Sequence, residues 1–140
     1  MALSFYSSAA RNFVVGELNW PADVFHLMLM TSSYTFNAAH DFRSDIANEV
    51  SGDGYTAGGL PLENLTASAA NPCVLSADDV NIAQSASGFS NGRKYAFVEI
   101  KGGAASADPL LNYGTAAADF GNVASPLVID VPSSLITVSV

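Results

Sequence analysis

Two imidazoles, one thiol and a scatter of carboxylates are all that this chain offers for catalysis or metal binding. The histidines are His26 and His40, and the thiol is Cys73. Nucleophilic catalysis needs a Ser or Cys beside a base that a third group orients. His26 lies inside the apolar run VFHLMLM, which suits a hydrogen-bonded core or interface histidine. His40 adjoins Asp41, and sequence neighbours rarely form a base and its orienting carboxylate. No G-x-S-x-G elbow is present. Zinc would require several Cys or His close together. Asp78, Asp79 and Asn81, or Asp53 in the SGDG loop, offer oxygen ligands for calcium but lack the spacing of a dedicated loop. Glu99 and Asp130 fall in strand patterns and read as polar residues on a wet face. GDGYTAG is rich in glycine, yet a candidate helix precedes it and a strand follows, the reverse of a dinucleotide-binding unit. The expectation is a protein that is not an enzyme and carries no metal or cofactor.

The composition points the same way. With 140 residues, 49% of them apolar, the chain reads as one domain, 1–140, with a real core. Only 13% of residues are charged, about half the share usual in a soluble domain. A surface so poor in charge suits a secreted protein or one covered by partners. The net charge is −8 and the five basic residues are dispersed, so nucleic acid, which demands clustered Lys and Arg, is excluded as a partner. The N-terminal stretch MALSFYSSAARNF has no basic leader followed by a long apolar core, and the longest apolar run is too short to cross a bilayer. No membrane role and synthesis in the cytoplasm follow as expectations. Cys73, lying in PCVLS, reads as a small buried hydrophobe without a disulfide partner.

Period-two patterns dominate the chain and predict strands. Residues 24–30 are apolar on both faces and predict a central strand. Residues 94–101 alternate, with Ala96, Val98 and Ile100 on one face and Tyr95, Phe97 and Glu99 on the other, and predict a strand with one wet face. Further strands are expected at 60–69, 72–76, 79–83, 110–115, 127–131 and 135–140. Turn formers separate them, among them Val131-Pro132, and Asn91-Gly92 is the strongest hairpin signal because both residues tolerate positive φ. Two helices are allowed: 41–50, with Phe42, Ile46 and Val50 on one stripe, and an N-terminal one in residues 1–20. The latter has Ser8 as cap, Phe13 facing inward and Gly16 as stop. Its Val14-Val15 pair keeps a strand open as the alternative. The stretch 102–108 reads as a flexible loop. The fold class expected is all-β, a jelly-roll-like antiparallel β-sandwich with one or two short helices.

The segment TSSYTFNAAHDFRSDIANEVSGDGYTAGGLPLENLT resembles one found in small structural proteins of tailed bacteriophages. The matching elements are 31–35, 40–62 with Asn64, and 77–80. KYAFVEIK and Leu110-Leu111-Asn112-Tyr113 fit as well. The likeness covers most of the chain from Asn12 onward, with GYTAGG its most specific part. Within that group the chain is most similar to the cement, or decoration, proteins of podophage heads. The resemblance implies a jelly-roll domain without catalysis, bound to the major capsid protein on the outer surface of the virion and forming a small homo-oligomer, a dimer by preference. For such a role, residue type makes Phe5, Tyr6 and Tyr55 candidate exposed anchors and Arg43 a candidate partner for an acidic capsid site, with internal packing, or a solvated helix face for Arg43, as the equal alternative. Strands at 3–6 and 135–140 are candidate free edges. A tail or tail-tip protein is the alternative within the virion. A carbohydrate-binding sandwich is the alternative outside it, and would need an exposed Trp or Tyr platform. Trp20, the sole tryptophan, sits before Pro21 at an expected turn.

Overall fold

The computed structural model describes residues 3–20, 22–131 and, as backbone, 136–138. The chain is mostly β, with antiparallel sheets and, among the described residues, one α-helix. Strand β1 (Leu3–Phe5) and helix α1 (Ser7–Val14) lead into β2 (Phe25–Thr31). Four short strands follow: β3 (Leu60–Pro61), β4 (Thr66–Ala67), β5 (Cys73–Ser76) and β6 (Val80–Ile82). The long strands β7 (Gly92–Glu99) and β8 (Leu110–Phe120) precede β9 (Leu127–Ile129) and β10 (Ile136–Val138). They form a five-stranded sheet in the order β1-β8-β7-β2-β3, a three-stranded sheet β10-β5-β4 and a pair β6-β9.

β2 lies inside the large sheet because neither of its faces tolerates water. Phe25, Leu27 and Leu29 point into the main core with Tyr95, Phe97 and Leu111. Leu75, Val80, Ile82 and Ile129, from the two small sheets, close the same core, an arrangement consistent with a β-sandwich. Met28 and Met30 point the other way into a second cluster with Ala96, Val98, Leu110, Tyr6 and Tyr34. Residues 94–101 therefore have no wet face: Tyr95 and Phe97 lie in the main core, and the loop bearing Tyr34, Phe36 and Ile46 covers Ala96 and Val98 on the other side. Glu99, read as a wet-face residue, is only 3% exposed.

The N-terminal helix forms in place of the alternative strand. Gly16, at φ 77°, stops it by donating its N–H to the Phe13 carbonyl at 3.2 Å. Phe13 packs on the core as expected, but Tyr6 occupies the cap position and Ser8 lies within the helix. The helix expected over 41–50 is only a 3-10 turn, Arg43–Asp45. Tertiary bonds take its backbone instead: Arg43 donates to the Asp108 carbonyl at 2.8 Å, and Val50 to the Leu29 carbonyl at 2.9 Å. Asn48 adopts φ 61°, which ends any helical course there.

Other boundaries move for similar reasons. The strand expected at 60–69 splits into β3 and β4, with Asn64 at φ 50° between them. The strand expected at 110–115 continues to Phe120. Asn91-Gly92 makes no I′ hairpin, since neither residue has positive φ. Gly92 instead opens β7 opposite Phe120, where an added Cβ would lie 2.2 Å from the Phe120 ring. The 102–108 stretch is a structured connection containing a 3-10 turn, Ala105–Ala107, and the fully buried Asp108. β1 and β10 are sheet edges as expected. Leu135, Ser139, Val140, Pro21 and Pro132 lie outside the described residues.

Candidate functional site

The four residues implied as a docking surface do not come together. Phe5 lies on the edge strand β1 and is 45% exposed. Tyr6, one residue later, is 1% exposed because the chain turns into α1 and drives its ring under the sheet. Its hydroxyl meets that of Tyr34 at 3.0 Å, which in turn meets His40 Nδ1 at 3.1 Å. Phe36 packs on the Tyr6 ring and stacks on Tyr113 at 4.6 Å between centroids. Burial raises the Tyr6 pKa far above its usual 10, and the hydrogen bond to Tyr34 adds to this. Tyr6 is a core residue, not an exposed anchor.

Tyr55 is likewise an internal clamp. Its hydroxyl donates to Glu49 Oε1 and accepts the Leu29 N–H of β2 at 3.1 Å. Glu49 Oε1 also accepts the Gly58 N–H at 2.7 Å. The glycine-rich GDGYTAGG loop is thus tied to the centre of the large sheet, with Gly58 and Gly59 at φ 94° and 97°, values that favour glycine. Burial, then the bond to Glu49, raises the Tyr55 pKa well above 10. Tyr55→Phe removes one donor and one acceptor from this tether and is expected to cost about 1–2 kcal/mol. Urea denaturation checks it, and an unchanged midpoint would contradict the clamp.

Arg43 is committed inward too. Its Nε donates to Asp108 Oδ2 at 2.7 Å, while Asp108 Oδ1 accepts the Lys101 N–H at 2.9 Å. Arg43 Nη1 lies so close to Gly58 that a Cβ there would stand 2.8 Å from it. His26, half-buried beside this point, makes a 3.3 Å contact from Nδ1 to the Gly58 carbonyl. The pairing with an acidic group expected of Arg43 is therefore made within the chain. Nothing in the local sequence announces Asp108 as that partner, since 65 positions separate the two.

The remaining chemical candidates are equally occupied. Asp78 accepts Asn64 Nδ2 at 2.6 Å, Asp79 accepts the Val131 N–H at 2.9 Å, and Asp53 accepts Ser85 Oγ at 3.0 Å. These carboxylates close loops. Among the described residues no three His, Cys, Asp or Glu side chains are grouped to hold a metal ion. Cys73 is half-buried and packs against the core. Trp20 is 7% exposed and donates from Nε1 to the Thr66 carbonyl, so it offers no platform for a sugar. Glu63, Asp78, Asp79 and Asn81 line a surface groove of about 380 Å³ beside Leu60 and Pro61. No helix among the described residues is long and apolar enough to span a membrane.

What stays open is the edge of the large sheet. Among the described residues β1 pairs only with β8, from Leu3 opposite Gly114 to Phe5 opposite Asn112. Its outer side presents unpaired backbone with an exposed Phe, the arrangement that accepts an added strand. Neither a family model, nor a curated protein, nor a solved structure matches this chain.

Proposed function

We propose that this protein is a bacteriophage cement protein, bound to the outside of the major capsid protein lattice, and that its sandwich is of the jelly-roll kind. The observation that carries the reading is the open β1 edge with Phe5 upon it, in a molecule whose Tyr6, Arg43 and Tyr55 are all committed internally. Such a protein acts through contact. A backbone edge supplies register and affinity, a projecting aromatic supplies an anchor, and repetition over a closed shell turns modest contacts into firm attachment. A small homo-oligomer would strengthen that avidity. The likeness to tailed-phage structural proteins supplies the partner.

Two measurements test it. Gel densitometry of purified virions should place the protein in fixed, high ratio to the major capsid protein; a few copies per particle would favour the tail or tail-tip alternative. Phe5→Ala should leave stability within about 0.5 kcal/mol while weakening attachment to particles lacking the protein by about tenfold or more. Undiminished binding by that variant would remove the β1 edge from the interface.

A further inference from the structure

The hydroxyls of Tyr6 and Tyr34 and the ring of His40 form a line that joins distant parts of the chain. Tyr6 caps α1. Tyr34 and His40 belong to the connection between β2 and β3, which covers the second cluster. Tyr6 Oη stands 3.0 Å from Tyr34 Oη, which stands 3.1 Å from His40 Nδ1. Among the described residues the Tyr6 hydroxyl bonds only to Tyr34, and the Tyr34 hydroxyl only to Tyr6 and His40. The two tyrosines are 1% and 2% exposed, so water does not complete the set. The imidazole is half-buried, within reach of solvent protons.

One arrangement of these bonds uses both hydroxyl hydrogens. A hydroxyl has one hydrogen to donate, and a neutral imidazole accepts at one nitrogen. Tyr6 therefore donates to Tyr34, and Tyr34 donates to His40 Nδ1. A proton taken up by His40 makes both ring nitrogens donors. Nδ1 then donates to Tyr34, and Tyr34 either turns toward Tyr6 or keeps Tyr6 as its donor. In each case one hydroxyl hydrogen is left without an acceptor in the core, which is costly.

We propose that Tyr6, Tyr34 and His40 form a proton-operated fastening, in which protonation of His40 strands a buried hydroxyl hydrogen and loosens residues 34–40 from α1 and the sheet. The surrounding charges set its direction. Asp45 acts on both His40 and Tyr34, and Asp41 follows His40 in the chain. Both carboxylates attract an imidazolium, but both ride on the same connection, where Asp45 Oδ2 accepts the Asp41 and Phe42 N–H groups at 2.9 and 3.0 Å. Their attraction persists when the segment lifts, whereas the constraint from Tyr6 does not. From β8, Tyr113 lies 5.9 Å from Tyr34 between ring centroids. From β7, Lys94 donates to the Tyr34 carbonyl and places a second cation on that residue. The loosened form thus takes up the proton at lower cost, so the fastening holds near pH 8 and is lost as the pH falls through the histidine range, to roughly 5. Its release uncovers Met28, Met30, Ala96 and Val98, an apolar face separate from the β1 edge.

Amide hydrogen exchange on the full chain tests the fastening, with rates corrected for intrinsic pH dependence. The Ser7 N–H, bonded to the Ala38 carbonyl at 2.8 Å, and the His40 N–H, bonded to the Asn37 carbonyl at 3.0 Å, report on the segment. Their protection relative to the β7 amides should fall about tenfold or more between roughly pH 8 and 5. Tyr34→Phe keeps the imidazole but breaks the line, so it should lower protection at every pH and remove the fall. If that variant fails to fold, His40→Gln, whose amide oxygen accepts from Tyr34 without ever gaining charge, should give a flat profile. A flat profile in the wild type, or a fall that persists in whichever variant folds, would overturn the proposal.

Discussion

Asn122→Ala is expected to destabilise the protein by about 3–4 kcal/mol, a large part of the 5–15 kcal/mol typical of a domain. Asn122 is fully buried where three loops meet. Its Oδ1 accepts the Phe89 N–H at 3.0 Å, and its Nδ2 donates to the carbonyls of Asp53 at 2.9 Å and Ala83 at 2.8 Å. Alanine would strand three backbone groups away from water, each costing about 1 kcal/mol or more. It would also leave a gap against Gly88, which packs so tightly on the amide that an added Cβ would stand 2.1 Å from Oδ1. Asn122→Asp should be no milder, because a carboxylate would face two carbonyl oxygens where donors are needed. Guanidinium unfolding measures both, and a loss under about 1 kcal/mol for alanine would show that the three loops hold without the amide.

The second large effect is expected at Arg43. Arg43→Met would remove the partner of Asp108, whose side chain has no exposure. Asp108 would retain the Lys101 N–H but carry a buried charge without a counter-ion. Breaking a buried pair from one side costs about 3–5 kcal/mol. Arg43 is itself 24% exposed, so the lower end, about 3 kcal/mol, is expected. Asp108→Asn should cost less, since its one amide oxygen still accepts from Arg43 and the side chain carries no charge, at the loss of the Lys101 N–H bond that Oδ1 accepts. Thermal and denaturant unfolding of both variants give the comparison. An Arg43→Met protein of unchanged stability that bound particles poorly would instead restore the docking role implied for this residue.

The contrast between Arg43 and β2 shows what local pattern can and cannot announce. Seven consecutive positions, VFHLMLM, have apolar side chains on both faces, and a strand of that kind has only one comfortable place, between neighbours and under two layers. Its centrality was legible for that reason, as were β5, β6, β7 and the Gly16 stop, where periodicity or a single required dihedral decides. DFRSDIANEV was misread because its apolar spacing also suits a helix. Its N–H groups find better acceptors in Leu29 and Asp108, and that competition is won at a distance. Asn91-Gly92 failed likewise: turn chemistry permits positive φ but does not compel it, and the Phe120 ring over Gly92 explains the glycine by space instead.

The candidate site divides along the same line. Residue types suggested Phe5, Tyr6, Arg43 and Tyr55 as surface anchors, since aromatics and Arg dominate interfaces. Identical types also dominate cores and buried ion pairs, so type alone could not separate the uses. Composition by itself determined a weakly charged, acidic chain, and its period-two patterns determined that it is mostly β. Tertiary structure decided which aromatics face water, that among the described residues β1 remains an open edge, and that Glu99 sits buried against Lys101. These depend on partners far apart in the chain, and no spacing rule reaches that far.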